Sequence, residues 1–193
     1  MSPALSVATI VARTEAEGPG HRYALWVQGC PMRCPGCCNP ELLQFEGGTL
    51  RTVDEIFEEV MASDVEGISL LGGEPFAAAE ALATLAHAVR RQGRSVMVFT
   101  GYTLAELQGE GAPPGADALL AETDLLVDGR YDKATHTTRR RWIGSDNQVL
   151  HFLTERYHPD DPRFSEPNTL EIRIDGDRVL INGFPIQGAR TRI

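Results

Sequence analysis

The stretch CPMRCPGCCNP (residues 30–40) contains all four cysteines of the 193-residue chain, at positions 30, 34, 37 and 38. Its prolines and its glycine oppose a helix or a strand, so it is predicted to be a loop that wraps around a ligand. A disulfide framework spreads cysteines along a chain and closes long loops, whereas a bridge here would close a trivial one. The stretch therefore indicates a metal site, a redox site or a coincidence.

Three of these thiols, Cys30, Cys34 and Cys37, follow the spacing C-x3-C-x2-C, which lets them meet at one cluster. A structural zinc site takes four ligands, and Cys38 is a poor fourth because it directly follows Cys37. Three thiolates on a [4Fe–4S] cube leave one iron open, and an open metal position can bind and activate a ligand. The favoured interpretation is therefore an iron–sulfur cluster with an open iron; zinc and coincidental buried thiols are the alternatives.

Outward from this loop, short apolar runs alternate with amphipathic segments. The runs at residues 6–12, 23–27, 67–71, 95–99 and 124–127 are predicted to be strands. Helices are predicted at residues 52–62 and 76–92, with a shorter one after Thr103. Two capping boxes, Thr52 with Glu55 and Thr103 with Glu106, mark helix starts. Strands that alternate with helices predict an α/β fold with a parallel sheet and crossover helices.

The C-terminal part has a different pattern. Residues 158–167 are rich in Pro and Asp and are predicted to be a loop, and residues 170–174 and 179–181 are predicted to be short strands. Asp175-Gly176-Asp177 between them is a hairpin signal. We therefore expect a main domain over residues 1–157 and an antiparallel hairpin extension over residues 158–193. The extension is expected to bind a partner, to cover an open side of the fold or to stabilise a sheet edge.

Composition and charge exclude several classes of protein. The chain is 42% hydrophobic and 23% charged, which is typical of a globular domain. A net charge of −9 argues against a general nucleic-acid binder, and the basic run Arg139-Arg140-Arg141 is interpreted as a solvated cluster. No apolar run approaches the roughly 20 residues of a membrane span. We therefore expect a cytoplasmic protein that binds neither nucleic acid nor a membrane.

The cysteine motif is the signature of the radical S-adenosylmethionine enzymes, and the chain resembles this family. Further blocks, in the same order along residues 18–152, resemble the glycyl-radical-enzyme activating proteins, in particular those of anaerobic ribonucleotide reductase. These blocks are Gly18-Pro19-Gly20-His21-Arg22, Gly29-Cys30, Cys34-Pro35-Gly36-Cys37, Gly72-Gly73-Glu74-Pro75, Thr100-Gly101-Tyr102, Leu126-Val127-Asp128-Gly129 and Gly144-Ser145-Asp146-Asn147-Gln148.

The resemblance implies a partial, open (β/α)6-type barrel of about six parallel strands, with the cluster at their C-terminal ends. It implies that the cluster reductively cleaves S-adenosylmethionine to a 5′-deoxyadenosyl radical. That radical would abstract a hydrogen atom from a backbone glycine of a large glycyl radical enzyme. The chain would then be an oxidoreductase that receives its electrons from a donor such as flavodoxin or ferredoxin.

The resemblance also implies a role for individual residues. Cys30, Cys34 and Cys37 would bind the cluster, and the backbone of Gly36 and Cys38 would lie against the adenine. The loop Gly72-Gly73-Glu74 would hold the amino group of S-adenosylmethionine. Thr100 and Asp128 would bind polar atoms of the nucleoside; a helix cap or a turn is the alternative for both. Glu74 stands where the family more often has Asp, and Cys38 where the activating proteins usually have Tyr.

Two other functions remain open at this stage. The first is a radical S-adenosylmethionine enzyme that modifies a small molecule or a peptide. The second is a non-catalytic iron–sulfur protein for sensing or electron transfer, although the loop Gly72-Gly73-Glu74-Pro75 would then have no purpose. Auxiliary clusters are excluded, because Cys38 is the only cysteine left over.

Overall fold

The computed structural model describes residues 2–176 and 178–183. The main sheet contains seven strands: β1 (Ala4–Thr14), β2 (Arg22–Val27), β3 (Thr49–Thr52), β4 (Gly67–Gly72), β5 (Ser95–Phe99), β6 (Leu125–Asp128) and β7 (Val149–Phe152). Its order is β3-β1-β2-β4-β5-β6-β7. The helices are α1 (Val53–Ala62), α2 (Ala79–Arg91), α3 (Leu104–Gln108) and α4 (Ala116–Ala121). Within the described ranges, a separate sheet holds two strands, β8 (Leu170–Asp175) and β9 (Arg178–Gly183).

The centre of the main sheet is parallel, as predicted, but it has fewer parallel strands than the expected barrel. Strands β2, β4, β5 and β6 run parallel to one another. At the two edges, β1 and β3 on one side and β7 on the other pair antiparallel. The expected six parallel strands are therefore four, and the edge strands β3 and β7 are not paired with each other within the described ranges. The reason lies in the connections: only the turn at residues 15–21 joins β1 to β2, whereas parallel strands need a long crossover.

Side chains alternate across the four parallel strands, so each strand contributes to two different surfaces. One surface packs against all four helices, with residues such as Leu25, Leu70, Val98 and Leu126 in a single buried cluster. The opposite surface carries smaller apolar clusters, and none of the helices α1–α4 packs on it. This helix-free face is the one that positions the functional site.

The two capping boxes predicted the starts of α1 and α3 correctly. Both capping boxes are formed, at Thr52 with Glu55 and at Thr103 with Glu106. The predicted helix at residues 76–92 begins instead with a 3-10 turn, Pro75–Ala78, before α2. No helix in the described part of the chain is long and apolar enough to cross a membrane.

The C-terminal hairpin of β8 and β9 is antiparallel, as predicted, and it lies on the helix-free face. It does not extend an edge of the main sheet. Leu180 of β9 packs against the apolar cluster that contains Val11 and Trp26. Asp177, part of the predicted turn, and residues 184–193 lie outside the described residues. The division of the chain after residue 157 stays a prediction.

A buried guanidinium closes the helix-free face at the N-terminal ends of the strands. Arg22 is fully buried, and its Nε donates to Ser69 Oγ at 3.1 Å. Its other nitrogens donate to Ser95 Oγ and to the carbonyl oxygens of Ile68 and Ser95. Tyr157 completes the network, because its hydroxyl lies 2.7 Å from Ser95 Oγ. Each of the three nitrogens of this guanidinium therefore donates at least one hydrogen bond, and these bonds join β2, β4 and β5.

Replacing Arg22 with methionine is expected to lower the free energy of unfolding by about 2–4 kcal/mol, because it leaves buried carbonyls and hydroxyls without a donor. Urea unfolding under anaerobic, reducing conditions measures this change. Arg91→Met is the matched control, since Arg91 is exposed at the end of α2. A loss no larger than that of the control would contradict the proposed importance of this network.

Candidate functional site

A cavity of about 1210 Å³ occupies the helix-free face of the sheet. Each of the four parallel strands contributes one apolar side chain to it near its C-terminal end: Trp26, Leu71, Phe99 and Val127. The cysteine loop and the loops that follow β4, β5 and β6 form its rim. Ligands of parallel α/β folds bind at this end of the strands, so the cavity has the position of a functional site.

The cysteine loop leaves β2 and is anchored at both ends. At its start, the Gly29 N–H donates to the Leu42 carbonyl at 3.1 Å. At its end, the 3-10 turn Pro40–Leu43 buries Leu42 in the apolar cluster below the cavity. Between these anchors, Arg33 has the left-handed φ of 50°, a conformation that costs a residue with a side chain free energy. The two anchors hold the cysteines in one arch in spite of this cost.

All four cysteine residues line the cavity, and their surroundings differ. Burial raises the pKa of Cys30, and the backbone N–H groups of Met32 and Arg33 partly oppose this. Burial also raises the pKa of Cys34, and a hydrogen bond from the Tyr131 N–H partly opposes this increase. The pKa of Cys37 is lowered to about 6 by a hydrogen bond from the thiol of Cys38. Cys38 itself is exposed, and its thiol donates to the sulfur of Cys37.

The donor set fits an iron–sulfur cluster better than a single metal ion. Among the described residues, no three His, Cys, Asp or Glu side chains converge on a point that a single ion would occupy. A cube does not need such convergence, because each thiolate binds a different iron. N–H groups aimed at cysteine sulfurs are also a common feature that tunes iron–sulfur clusters. Cys30, Cys34 and Cys37 would hold the cluster at the rim of the cavity.

The Gly72-Gly73-Glu74 loop after β4 lies directly against the start of the cysteine loop. The Gly73 N–H donates to the Val27 carbonyl at 2.8 Å, and the Glu74 N–H donates to the Gly29 carbonyl at 2.9 Å. A Cβ at Gly73 would lie 2.1 Å from the Gly29 oxygen, so only glycine permits this contact. The sequence placed these two motifs far apart, and the fold brings them into contact at the cavity.

Glu74 connects two strand ends rather than presenting a free carboxylate. Its Oε1 accepts from the Phe76 N–H at 2.9 Å and from the Thr100 hydroxyl at 2.8 Å, and its Oε2 accepts from the Gly101 N–H at 2.8 Å. The residue is 1% exposed, and burial raises its pKa to about 7 despite these donors. The longer side chain of Glu, compared with Asp, reaches from the loop after β4 to the loop after β5. Thr100 is therefore part of this connection.

Asp128 does not reach the cavity, contrary to the expectation that it binds the nucleoside. It shares the helix-facing surface of β6 with Leu126, whereas Val127 faces the cavity. Its Oδ2 accepts from the Leu104 N–H at 2.7 Å, at the start of α3, and lies 2.9 Å from His151. The alternation of side chains along a strand explains this placement. The other predicted cofactor-binding residues line the cavity: Gly36, Cys38, Gly72, Gly73, Glu74 and Thr100.

The loop between β6 and β7 forms a wall of the site that sequence reasoning did not assign. Gln148 holds it closed, because its Oε1 accepts from the Gly144 N–H at 2.9 Å and its Nε2 donates to the Gly129 carbonyl at 2.8 Å. Arg140 donates to the Asp146 carbonyl at 2.9 Å, and the Arg141 guanidinium stacks 4.5 Å from the Trp142 ring. The interpretation of the basic run as a solvated cluster was wrong for Arg141, whose side chain is 8% exposed, whereas Arg139 and Arg140 are exposed.

The hairpin forms the remaining wall and is fastened by Glu17. The Gly183 N–H donates to Glu17 Oε1 at 2.7 Å, and Asn182 Nδ2 donates to Thr14 Oγ1 at 2.8 Å. Glu17, Leu180 and Asn182 all line the cavity. Burial raises the pKa of Glu17 from 4.5 to about 7, opposed by the hydrogen bond from Gly183. No local signal marks this contact, because its partners are separated by most of the chain.

Replacing Glu17 with glutamine is expected to change how stability depends on pH. The folded pKa of about 7 lies above the ordinary 4.5, so ionisation is disfavoured in the folded chain. This contribution of Glu17 to stability is fully present below pH 4.5 and is lost as the pH rises to about 7. The unfolding free energy of Glu17→Gln minus that of the wild type should therefore increase by about 2–3 kcal/mol over this range.

Urea unfolding at a series of pH values measures the difference. The control is Glu110→Gln, at an exposed position, which should follow the wild-type profile in parallel. A Glu17→Gln profile that is also parallel to the wild type would show that Glu17 titrates normally in the folded chain.

Comparisons with known proteins agree with this geometry. Residues 16–151 match the model of the 4Fe-4S single cluster domain family. The chain is similar to the anaerobic ribonucleoside-triphosphate reductase-activating protein of Vibrio cholerae, with 34% identity over 71% of this chain and 91% of that protein. The protein of the same name from Escherichia coli K12 is 33% identical over 70% of this chain and 91% of its own length. That of Enterobacteria phage T4 is 31% identical over 69% and 85%.

The family model extends from residue 16, next to Glu17, into β7, and so includes the cysteine loop and the ends of β2, β4, β5 and β6 at the rim of the cavity. The resemblance found in the short motifs therefore holds over most of the chain. The protein belongs to the family of anaerobic ribonucleoside-triphosphate reductase-activating proteins.

Proposed function

We propose that this protein is a radical S-adenosylmethionine enzyme that activates an anaerobic ribonucleotide reductase by generating a glycyl radical in it. The observation that carries the proposal is the contact between the cysteine loop and the Gly72-Gly73-Glu74 loop at the rim of one cavity. The names of the relatives support the reductase as the partner. With the cluster and S-adenosylmethionine bound, the cofactors would supply a 5′-deoxyadenosyl radical that abstracts a hydrogen atom from a glycine of the partner.

The chain's own residues would position the cluster and S-adenosylmethionine and would keep water out of the cavity. Cys30, Cys34 and Cys37 would hold the cluster and would leave one iron without a cysteine ligand. The backbone of Gly72 and Gly73 would accept the amino group of S-adenosylmethionine, while Glu74 holds that loop in place through Thr100 and Gly101. The apolar cavity floor would exclude water, and the exclusion of water prevents side reactions of a reactive intermediate. We also propose a cytoplasmic location and an open, radical S-adenosylmethionine type of sheet.

The cavity leaves room for this arrangement. Its volume of about 1210 Å³ exceeds the roughly 300–1,000 Å³ of a typical small-molecule pocket. A segment of a partner protein would therefore have space beside S-adenosylmethionine. The sequence alternative of a small-molecule substrate would use the same space, so the hydrogen donor must be identified by experiment.

The test uses the anaerobically reconstituted protein with a reductase partner in which glycine is deuterated at Cα. Reaction with S-adenosylmethionine and a chemical reductant should give 5′-deoxyadenosine that carries deuterium, and a glycyl radical signal by electron paramagnetic resonance. 5′-Deoxyadenosine without deuterium would favour a small-molecule or peptide substrate. No 5′-deoxyadenosine from protein with a full cluster would favour a non-catalytic iron–sulfur protein.

A further inference from the structure

The C-terminal hairpin turns charged side chains of β8 inward and apolar side chains toward solvent. The charged side chains hold β8 against the end of β1: Glu171 Oε1 accepts from the Glu15 N–H at 2.7 Å, and Arg173 donates to the Arg13 carbonyl oxygen. Side chains alternate along a strand, so the apolar residues of β8 lie on the opposite face. An antiparallel sheet with one covered face normally has its apolar residues on the covered side. The hairpin therefore leaves apolar surface on the outside of the molecule.

Three side chains form this outer face of the hairpin: Ile172 is 60% exposed, Ile174 is 75% exposed and Val179 is 51% exposed. Val179 pairs with Ile174 across the ladder, so their side chains are neighbours on one face. Ile172 pairs in the same way with Ile181, which lines the cavity. The outer face is therefore a contiguous apolar patch that begins at the rim of the cavity. Such a patch is typical of a protein interaction site.

The size and the position of the patch indicate what covers it. A stable protein–protein interface buries about 800 Å² on each partner, and three side chains supply only a part of this area. The patch is therefore too small for a stable dimer formed by the hairpins of two copies alone, and it fits as the extension of a larger interface. A protein that inserts a segment into the cavity must cover the rim of the cavity, and Ile181 connects this rim to the patch.

We propose that the outer face of the hairpin is a docking surface for the anaerobic ribonucleotide reductase whose glycine segment enters the cavity. This inference rests on the proposed function. The complementary surface of the reductase is apolar, and its burial supplies affinity without a charged contact. Both strands of the hairpin lie beyond residue 151, where the match to the cluster-domain family ends. The surface therefore adds a contact outside the part of the chain that matches this family.

The binding test compares Ile172→Glu and Ile174→Glu with the control Leu50→Glu. Leu50 on β3 is also an apolar strand residue, and its exposure of 75% equals that of Ile174. Isothermal titration calorimetry of the cluster-loaded protein with the reductase of the same organism should give a Kd at least about tenfold higher in both hairpin variants, because docking would bury an unpaired carboxylate. Leu50→Glu should bind like the wild type. The heat-capacity change of wild-type binding should be negative, as apolar burial requires.

Measurements on the free protein test the other candidate occupants of the patch. By urea unfolding, Ile174→Glu should be as stable as Leu50→Glu, and by sedimentation it should have the oligomeric state of the wild type. A larger loss of stability in Ile174→Glu would show that another segment of this chain covers the patch. Dissociation of a wild-type dimer by Ile174→Glu would show that a second copy covers it. Either result would overturn the inference.

Product formation separates this inference from the proposed function. Without the reductase and with a chemical reductant, both hairpin variants should form 5′-deoxyadenosine within about twofold of the wild-type rate, because Ile172 and Ile174 do not line the cavity. With the reductase at a concentration below the Kd, glycyl radical formation should fall at least about tenfold, and a high reductase concentration should restore it. Equal Kd values in the hairpin and control variants, with deuterium still transferred from the reductase, would overturn the inference and leave the proposed function standing. A wild type that transfers no deuterium from the reductase would overturn both.

Discussion

Replacing Cys34 with alanine is expected to abolish cluster binding and to reduce 5′-deoxyadenosine formation by at least about a thousandfold. Cys34 is one of three thiols that line the cavity at the predicted ligand spacing, and Cys38 is poorly placed to replace it because it directly follows Cys37. The measurements are iron and sulfide content, the absorption of the reconstituted cluster, and product formation by mass spectrometry.

Cys38→Ala is the matched control, because it removes a cavity-lining thiol of the same loop. It should keep its cluster. Loss of the hydrogen bond from Cys38 should raise the pKa of Cys37 from about 6 toward that of an ordinary thiol, which would slow reconstitution at low pH. If Cys38→Ala loses its cluster and Cys34→Ala keeps it, the assignment of the three ligands is wrong.

The two cysteine variants test a part of the site that could be predicted from the sequence. The ligands lie within one short loop, so spacing alone determines which thiols are able to meet. The helix starts were predicted for the same reason: Thr52 and Glu55 interact within one turn. Signals of this kind depend on neighbours along the chain and are independent of how the chain folds.

The arrangements that the sequence did not predict depend on contacts between distant segments. Asp128 was expected at the ligand because it ends a strand, but whether such a residue faces the cavity or the helices depends on the pairing of β6. The carboxylate of Glu74 accepts from donors in the loop after β5, which lies far along the chain. The hairpin's position depends on Glu17 and Gly183, which are far apart in sequence. No periodicity or local motif encodes these contacts.

The contact between Gly73 and Gly29 is of this second kind, and it allows the cofactor loops to be tested together. Gly73→Ala would place a Cβ 2.1 Å from the Gly29 oxygen and 2.5 Å from its carbonyl carbon. Both are backbone atoms, so a side-chain rotation does not relieve the clash. The two loops must separate by about an ångström, a displacement of reacting groups that is able to cost about a hundredfold in rate.

We therefore expect Gly73→Ala to weaken the binding of S-adenosylmethionine by at least about tenfold and to slow 5′-deoxyadenosine formation by about a hundredfold. The free energy of unfolding should fall by only about 1–3 kcal/mol, as for other overpacked sites. Equilibrium dialysis, product analysis and urea unfolding measure these three quantities. A loss of stability without a loss of binding would mean that this loop supports the fold and does not hold the cofactor.

Gly111→Ala controls for the loss of a glycine as such, because a Cβ at Gly111 meets no atom within 4 Å. It should leave binding, rate and stability close to those of the wild type. The comparison also separates two roles of the Gly72-Gly73-Glu74 loop. If the Gly73→Ala protein retains its cluster but loses S-adenosylmethionine, the loop positions the substrate; if it loses both, the contact with Gly29 also shapes the cysteine arch. In either case a steric contact between two backbones, rather than a charged side chain, would determine the geometry of the proposed cofactor site.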